Sequence, residues 1–86
     1  MNTFMLNIAT PEGNIFSGKA EMISLRGADG DLAVLAGHMP FTTTVVPCKC
    51  KIYLPDGSEK HLRIESGLLT VSKECVTLLS GSAAFE

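Results

Sequence analysis

The chain contains no apolar run approaching the roughly 18–20 residues of a membrane-spanning helix, so any membrane association is expected to go through a partner. It carries no basic stripe. Its seven Lys and Arg residues are interleaved with nine Asp and Glu along the sequence, which argues against a nucleic-acid backbone as ligand. The opening "MNTFMLNIAT" lacks a positively charged leader and a long apolar core, and it reads as mature protein rather than signal peptide. There are only three cysteines, Cys48, Cys50 and Cys75. An odd number without an export signal argues against a disulfide scaffold and for a reducing cytosol. Helix is also short of room. Windows long enough for three helical turns are interrupted by glycine or proline, or alternate in polarity.

What remains is a chain of 86 residues, 45% hydrophobic and 19% charged, with a formal net charge of −2. That is enough for one small domain, residues 1–86. A domain of this size buries about 60–65% of the surface that its unfolded chain exposes.

The dominant period is two. Phe4, Leu6 and Ile8 alternate with Met5, Asn7 and Ala9, and Cys48, Cys50, Ile52 and Leu54 alternate with Lys49, Lys51 and Tyr53. Lys60, Leu62 and Ile64 alternate with Glu59, His61 and Arg63. Between those last two runs lies Pro55-Asp56-Gly57, a tight-turn sequence, so residues 49–64 read as one hairpin. A second hairpin is expected over 67–79, with "GLLTV" and "CVTLL" joined by the polar "SKE". Further strand-like runs are "KAEMISLR" (19–26), "DLAVLA" (31–36) and "FTTTVV" (41–46). The one candidate for helix onset is the tail "SAAFE", where Ser82 can serve as an N-cap. The expected fold is all-β, a small antiparallel β-sandwich or flattened barrel of about ten short strands.

Chemical motifs are sparse. Cys48, Cys50, Cys75 and a histidine could supply four zinc ligands, but the first two lie on the apolar face of a strand, where free cysteine packs as a small hydrophobe. "GADGDL" (27–32) is a fragment of a calcium loop without the remaining oxygen ligands, and a glycine-bounded turn is the simpler reading. His38 and His61 lie far apart, and no serine or cysteine motif announces a nucleophile beside either. The residues alone describe a β module without catalytic, metal or cofactor sites, one that acts by being held.

"GDLAVLAGHMPF" (30–41) resembles the signature of the epsilon subunit of F-type ATP synthases: a glycine–acid turn, an apolar strand and a Gly-His-x-Pro turn in succession. "IFSGKAEMISLRGADGDL" (15–32) is similar to that family's strand pair leading into the same turn, and "SGLLTVSKECVTLLS" (66–80) to its late hairpin. The resemblance runs over residues 4–84 in one register. It implies the family's N-terminal β-sandwich, a non-catalytic rotor part held by the gamma subunit and resting on the c subunits of the membrane rotor ring. It further implies a monomer within the complex, peripheral to the cytoplasmic face of a bacterial plasma membrane. Residue by residue, the turn Ala28, Asp29, Gly30 and Asp31 matches the loop facing the ring, with Asp31 at the acidic position that pairs with basic ring loops. His38 matches the histidine near the gamma contact, and Thr10 and Thr43 fall on comparable strand-end positions. Three departures stand out: Ala33 where the family usually has a second glycine, Ser66 where it often has Gly-Gly, and Pro47-Cys48 in place of Pro-Gly. Family members usually continue into an α-helical hairpin that carries regulatory inhibition. A chain stopping at Glu86 is expected to assemble and couple without inhibiting.

Two other classes remain open on the residues alone. One is a stand-alone metal-binding or redox module using the three cysteines, and the other is a small hydrolase with His38 as base. The rotor reading carries its own structural expectation, an exposed apolar patch of several hundred Å² beyond what the core needs.

Overall fold

The computed structural model describes residues 2–37 and 39–86. The described residues form ten strands: β1 (Phe4–Thr10), β2 (Gly13–Ala20), β3 (Met22–Gly27), β4 (Gly30–Leu35), β5 (Phe41–Val45), β6 (Cys48–Tyr53), β7 (Glu59–Ile64), β8 (Gly67–Val71), β9 (Cys75–Ser80) and β10 (Ala83–Phe85). They form one folded-over sheet in the order β10-β7-β6-β3-β5-β8-β9-β1-β2, with β4 paired to β3 off this path. The all-β expectation holds, and no helix occurs among the described residues.

The alternation in the sequence becomes the two faces of each strand. In β6 and β7 the pairing runs from Cys48↔Ile64 to Tyr53↔Glu59, which places Cys50, Ile52, Leu62 and Ile64 inward. Asp56 closes this hairpin by accepting hydrogen bonds from the Ser58 N–H at 2.9 Å and the Ser58 hydroxyl at 2.5 Å. Those bonds from Ser58 favour the ionised form and hold the Asp56 carboxyl below the usual carboxylate range. Gly57 takes the positive φ of 89° that such a turn requires. Lys60 shares the inward parity but sits at the strand's open end, with its ammonium 5.7 Å from the centroid of the Phe85 ring.

The two layers meet at β3. One edge of β3 pairs with β4 along its whole length, from Met22↔Leu35 to Gly27↔Gly30. The other edge is shared: Met22, Ser24 and their neighbour pair with β6, and Gly27 pairs with Val45 of β5. The link Val46–Pro47 sends β5 into one layer and β6 into the other, pinned where Val46 donates its N–H to the Arg26 carbonyl at 3.2 Å. Side chains from both layers fill one core, including Leu6, Ile8, Ile23, Val34, Ile52, Leu62, Leu69 and Leu78, all at 0% exposure.

Three sequence expectations need correction. The run 19–26 is two strands, because Ala20 pairs with Phe4 in one layer while Met22 pairs with Tyr53 and Leu35 in the other. The chain crosses between layers at Glu21. The tail is a strand rather than a helix onset: Ala83, Ala84 and Phe85 pair with Ile64, Arg63 and Leu62. Three residues cannot offset helix nucleation, whereas the open edge of β7 supplies a ready ladder. Glu86 then meets Lys49 at 3.3 Å and Arg63 at 3.6 Å. Among the described residues pairing is antiparallel except for β1 and β9, which run parallel from Met5↔Cys75 to Ala9↔Leu79.

Ser66, in the family's Gly-Gly position, is exposed and accepts the Gly81 N–H at 3.3 Å, so a side chain is tolerated there. Gly67 is different. A Cβ at that position would collide with the backbone carbonyl of Leu79. Gly67→Ala is therefore expected to destabilise the domain by about 1–3 kcal/mol in urea unfolding. Gly81→Ala, with nothing within 4 Å, is expected to leave the midpoint nearly unchanged.

Candidate functional site

The outward faces of the two layers differ in chemistry. In the layer β5-β8-β9-β1, no strand contains a charged residue. Pairing aligns Thr44, Leu68, Leu79 and Ala9 in one outward row and Thr42, Thr70, Thr77 and Asn7 in the next. Leu79 is 49% exposed, and Leu68 and Met5 are each 40% exposed. The opposite outer face carries Arg26, Lys49, Lys51 and Arg63 among Asp31, Glu59 and Glu86. One face is thus dressed for solvent. The other holds apolar and hydroxyl groups where a solvated sheet would place charge, as expected for a surface with a partner.

The second feature is the turn between β3 and β4. Gly27 and Gly30 close it, and Gly30 has φ 123°. Ala28 donates its N–H to the Thr44 carbonyl at 3.1 Å, which ties the turn to β5. Asp31 is bound to Arg26, with Nε to Oδ1 at 2.9 Å, and this bond raises the already high pKa of the guanidinium. The acidic position is thus paired within the chain while its side chain stays 79% exposed. Asp29, exposed and without an ion pair among the described residues, is the free acid of the turn.

The sequence-predicted residues regroup in space. Asp29, Gly30, Asp31 and Thr43 line one open concavity of about 380 Å³, together with Leu32 and Phe41. Thr43 lies at the centre of β5 rather than at a strand end, its hydroxyl bonded to the Thr44 carbonyl at 3.3 Å. Thr10 does end its strand, and its hydroxyl accepts the Glu12 N–H at 3.2 Å. It borders a different concavity, of about 410 Å³, beside Leu79, Ser80 and Gly81. The uncharged face spans the strands between these two threonines. His38 lies outside the described residues. The uncharged face itself escaped the residue-by-residue reading, although its signal is present: Phe4–Thr10, 41–46, 67–71 and 75–80 hold no Lys, Arg, Asp or Glu.

The cysteines do not form a site. Cys48 and Cys50 face the core from β6, whereas Cys75 lies on the outer side of β9, where Asn7 donates to its sulfur at 3.4 Å. Among the described residues, no three His, Cys, Asp or Glu side chains gather as metal ligands. Burial, with a smaller contribution from neighbouring Cys48, pushes the Cys50 thiol up to about 12. It therefore stays protonated throughout the neutral range, with no thiolate to react. With a thiol-specific disulfide reagent at pH 8, Cys50 is expected to react only after denaturation. Rapid labelling of all three thiols in the native chain would contradict this placement.

The fold is a small β-sandwich with one uncharged face and one pinned acidic turn. Residues 3–86 match the family described as the ATP synthase delta/epsilon chain β-sandwich domain. Over 83 residues the chain is 37% identical to the ATP synthase epsilon chain of Delftia acidovorans and to that of Verminephrobacter eiseniae, covering 96% of this chain and 60% of each relative. The fold is similar to a chain in the Euglena gracilis mitochondrial ATP synthase structure (OSCP/F1/c-ring), with TM-score 0.91 at 20% identity over 96% of this chain and 53% of that one. It is also similar to a chain of the Tetrahymena thermophila mitochondrial ATP synthase central stalk and c-ring, with TM-score 0.78 at 11% identity over 96% of this chain and 66% of that one. The chain belongs to the ATP synthase delta/epsilon β-sandwich family. It spans about 60% of the length of the epsilon chains it matches.

Proposed function

We propose that this domain is a non-catalytic part of the rotor of an F-type ATP synthase, joining the gamma subunit to the c subunits of the rotor ring. The uncharged face of β5-β8-β9-β1 is the observation that carries the reading. On this view gamma covers Leu68, Leu79 and Met5, and Thr10, His38 and Thr43 lie at or near the border of that contact. The turn Ala28–Asp31 meets the polar ring loops, with Asp29 rather than Asp31 as the acid offered to their cations. Charges in such a rim set register and encounter rate more than affinity. The domain works as a monomer within the complex, needs no cofactor, and meets the membrane only through the ring. The sources of its relatives favour a bacterial enzyme, with this part on the cytoplasmic side of the plasma membrane.

Support for gamma comes from the chemistry of the face. Burying a half-exposed leucine gains on the order of 1 kcal/mol, and several leucine and methionine side chains together anchor a stable contact. Analytical size exclusion with the gamma subunit from the same source tests this. Co-elution as a one-to-one complex is expected. Leu79→Lys is expected to weaken it at least about tenfold, because it buries a charge without a partner. Lys51→Gln, on the charged face, is expected to leave it unchanged. Clean separation of the two proteins at tens of micromolar would leave only a shared fold.

A further inference from the structure

Among the described residues β4 pairs only with β3, so one of its edges is free. The hairpin fixes which backbone groups lie there. Two residues, Ala28 and Asp29, connect β3 to β4, and Gly27 and Gly30 form the closing pair. In an antiparallel ladder, pairs that exchange hydrogen bonds alternate with pairs that do not. Gly27–Gly30, Leu25–Leu32 and Ile23–Val34 are then the bonded pairs, and Arg26, Ser24 and Met22 turn their backbone groups away from β4. Two bonds on the far side of β3 agree: the Arg26 carbonyl accepts from Val46 at 3.2 Å, and the Arg26 N–H points to the Cys48 sulfur at 3.4 Å. Their partners Asp31, Ala33 and Leu35 therefore present N–H and C=O groups at the free edge. All three residues are exposed.

Free edges usually carry a device that prevents pairing. β2 has Lys19 and sits against a register shift at Ile8/Ala9, and β10 is only three residues long. β4 has no lysine, no proline and no register shift. Its edge borders the 380 Å³ concavity, whose facing wall includes Thr42. Thr42 also belongs to the uncharged face, so edge and face are continuous. Acids stand at both ends, Asp29 and Asp31 at one and Glu21 beside Leu35 at the other. Two copies of this chain pairing antiparallel through β4 would bring Asp29 and Asp31 of each towards Glu21 of the other. Like charges so placed oppose self-association.

We propose that β4 accepts an extended strand from a different polypeptide, with apolar or β-branched residues opposite Ala33 and Leu35 and a cation near Glu21. Resting on the reading given above, that strand belongs to the gamma subunit, which then holds the domain by both face and edge. The mode is strand addition, in which main-chain hydrogen bonds supply affinity and alternate side chains supply selectivity.

Residue-resolved amide exchange on the 86-residue chain, alone and with the gamma subunit from the same source, tests this. The Asp31, Ala33 and Leu35 amides are expected to slow at least about tenfold in the complex, while Leu32 and Val34, already bonded to β3, change little. Protection around Leu68 and Leu79 with unchanged exchange at Asp31, Ala33 and Leu35 would overturn strand addition and leave the gamma reading intact. Failure to form any complex would remove both. Ala33→Pro deletes an N–H that β3 does not use and is expected to weaken binding at least about tenfold, whereas Ala33→Val keeps it and should bind as the parent does. Equal binding by the proline variant would also overturn the proposal.

Discussion

The structure turns on the passage of β3 between two layers, which meets both of them at Gly27. β4 and β5 both approach this residue, and a Cβ there would lie 2.8 Å from a Leu32 methyl and 3.4 Å from the Thr44 carbonyl. The end of β3 pairs with Gly30 on one edge and Val45 on the other. The Ala28 N–H then reaches Thr44, and Val46 reaches Arg26. The fold-over of the sheet, the fixed position of the acidic turn and the concavity beside it all meet at this junction of β3, β4 and β5.

Folding over also separates the two outer surfaces. Strands β3, β6 and β7 carry charge at outward positions, and β5, β8, β9 and β1 carry none. The core does not require this difference, because the inward residues of both layers are equally apolar. Solubility of a lone domain would favour charge on both faces. A surface that leaves Leu68, Leu79 and Met5 at 40–49% exposure suits the covered face that the proposed function assigns to it.

Local features of the chain were legible in proportion to how locally they are determined. The β6–β7 hairpin could be read because strict alternation fixes its faces and Pro55-Asp56-Gly57 fixes its turn. The run over residues 19–26 misled because it stays strand-like across Glu21, although the buried positions change phase from Ala20 to Ile23 and Leu25 as the chain changes layer. The parallel pairing of β1 with β9 joins Met5 to Cys75 and leaves no signal in either segment alone. β10 is too short to have a period of its own and depends on the waiting edge of β7 and on Glu86 between Lys49 and Arg63. The candidate site divides in the same way. The acidic turn was visible in "GADGDL", but the pairing of Asp31 with Arg26, which leaves Asp29 as the turn's acid without an ion pair among the described residues, is a matter of cross-strand geometry. The uncharged face required the register of four strands drawn from both ends of the chain.

On the proposed reading the domain must transmit force between two contacts of a rotor without yielding, and the bonds around the turn bear on how it would do so. The acidic turn is a loop in the chain but not a free one: the Ala28 bond ties it to β5, and the Arg26–Asp31 pair ties it back to β3. β5 is itself the edge strand of the uncharged face, paired along its whole length with β8. On the proposed reading, load taken up at Asp29 passes through Thr44 into the sheet that gamma covers, across main-chain hydrogen bonds rather than flexible side chains. The strength of each surface charge matters little in that arrangement. What matters is that the acid and the apolar face are fastened to the same strand.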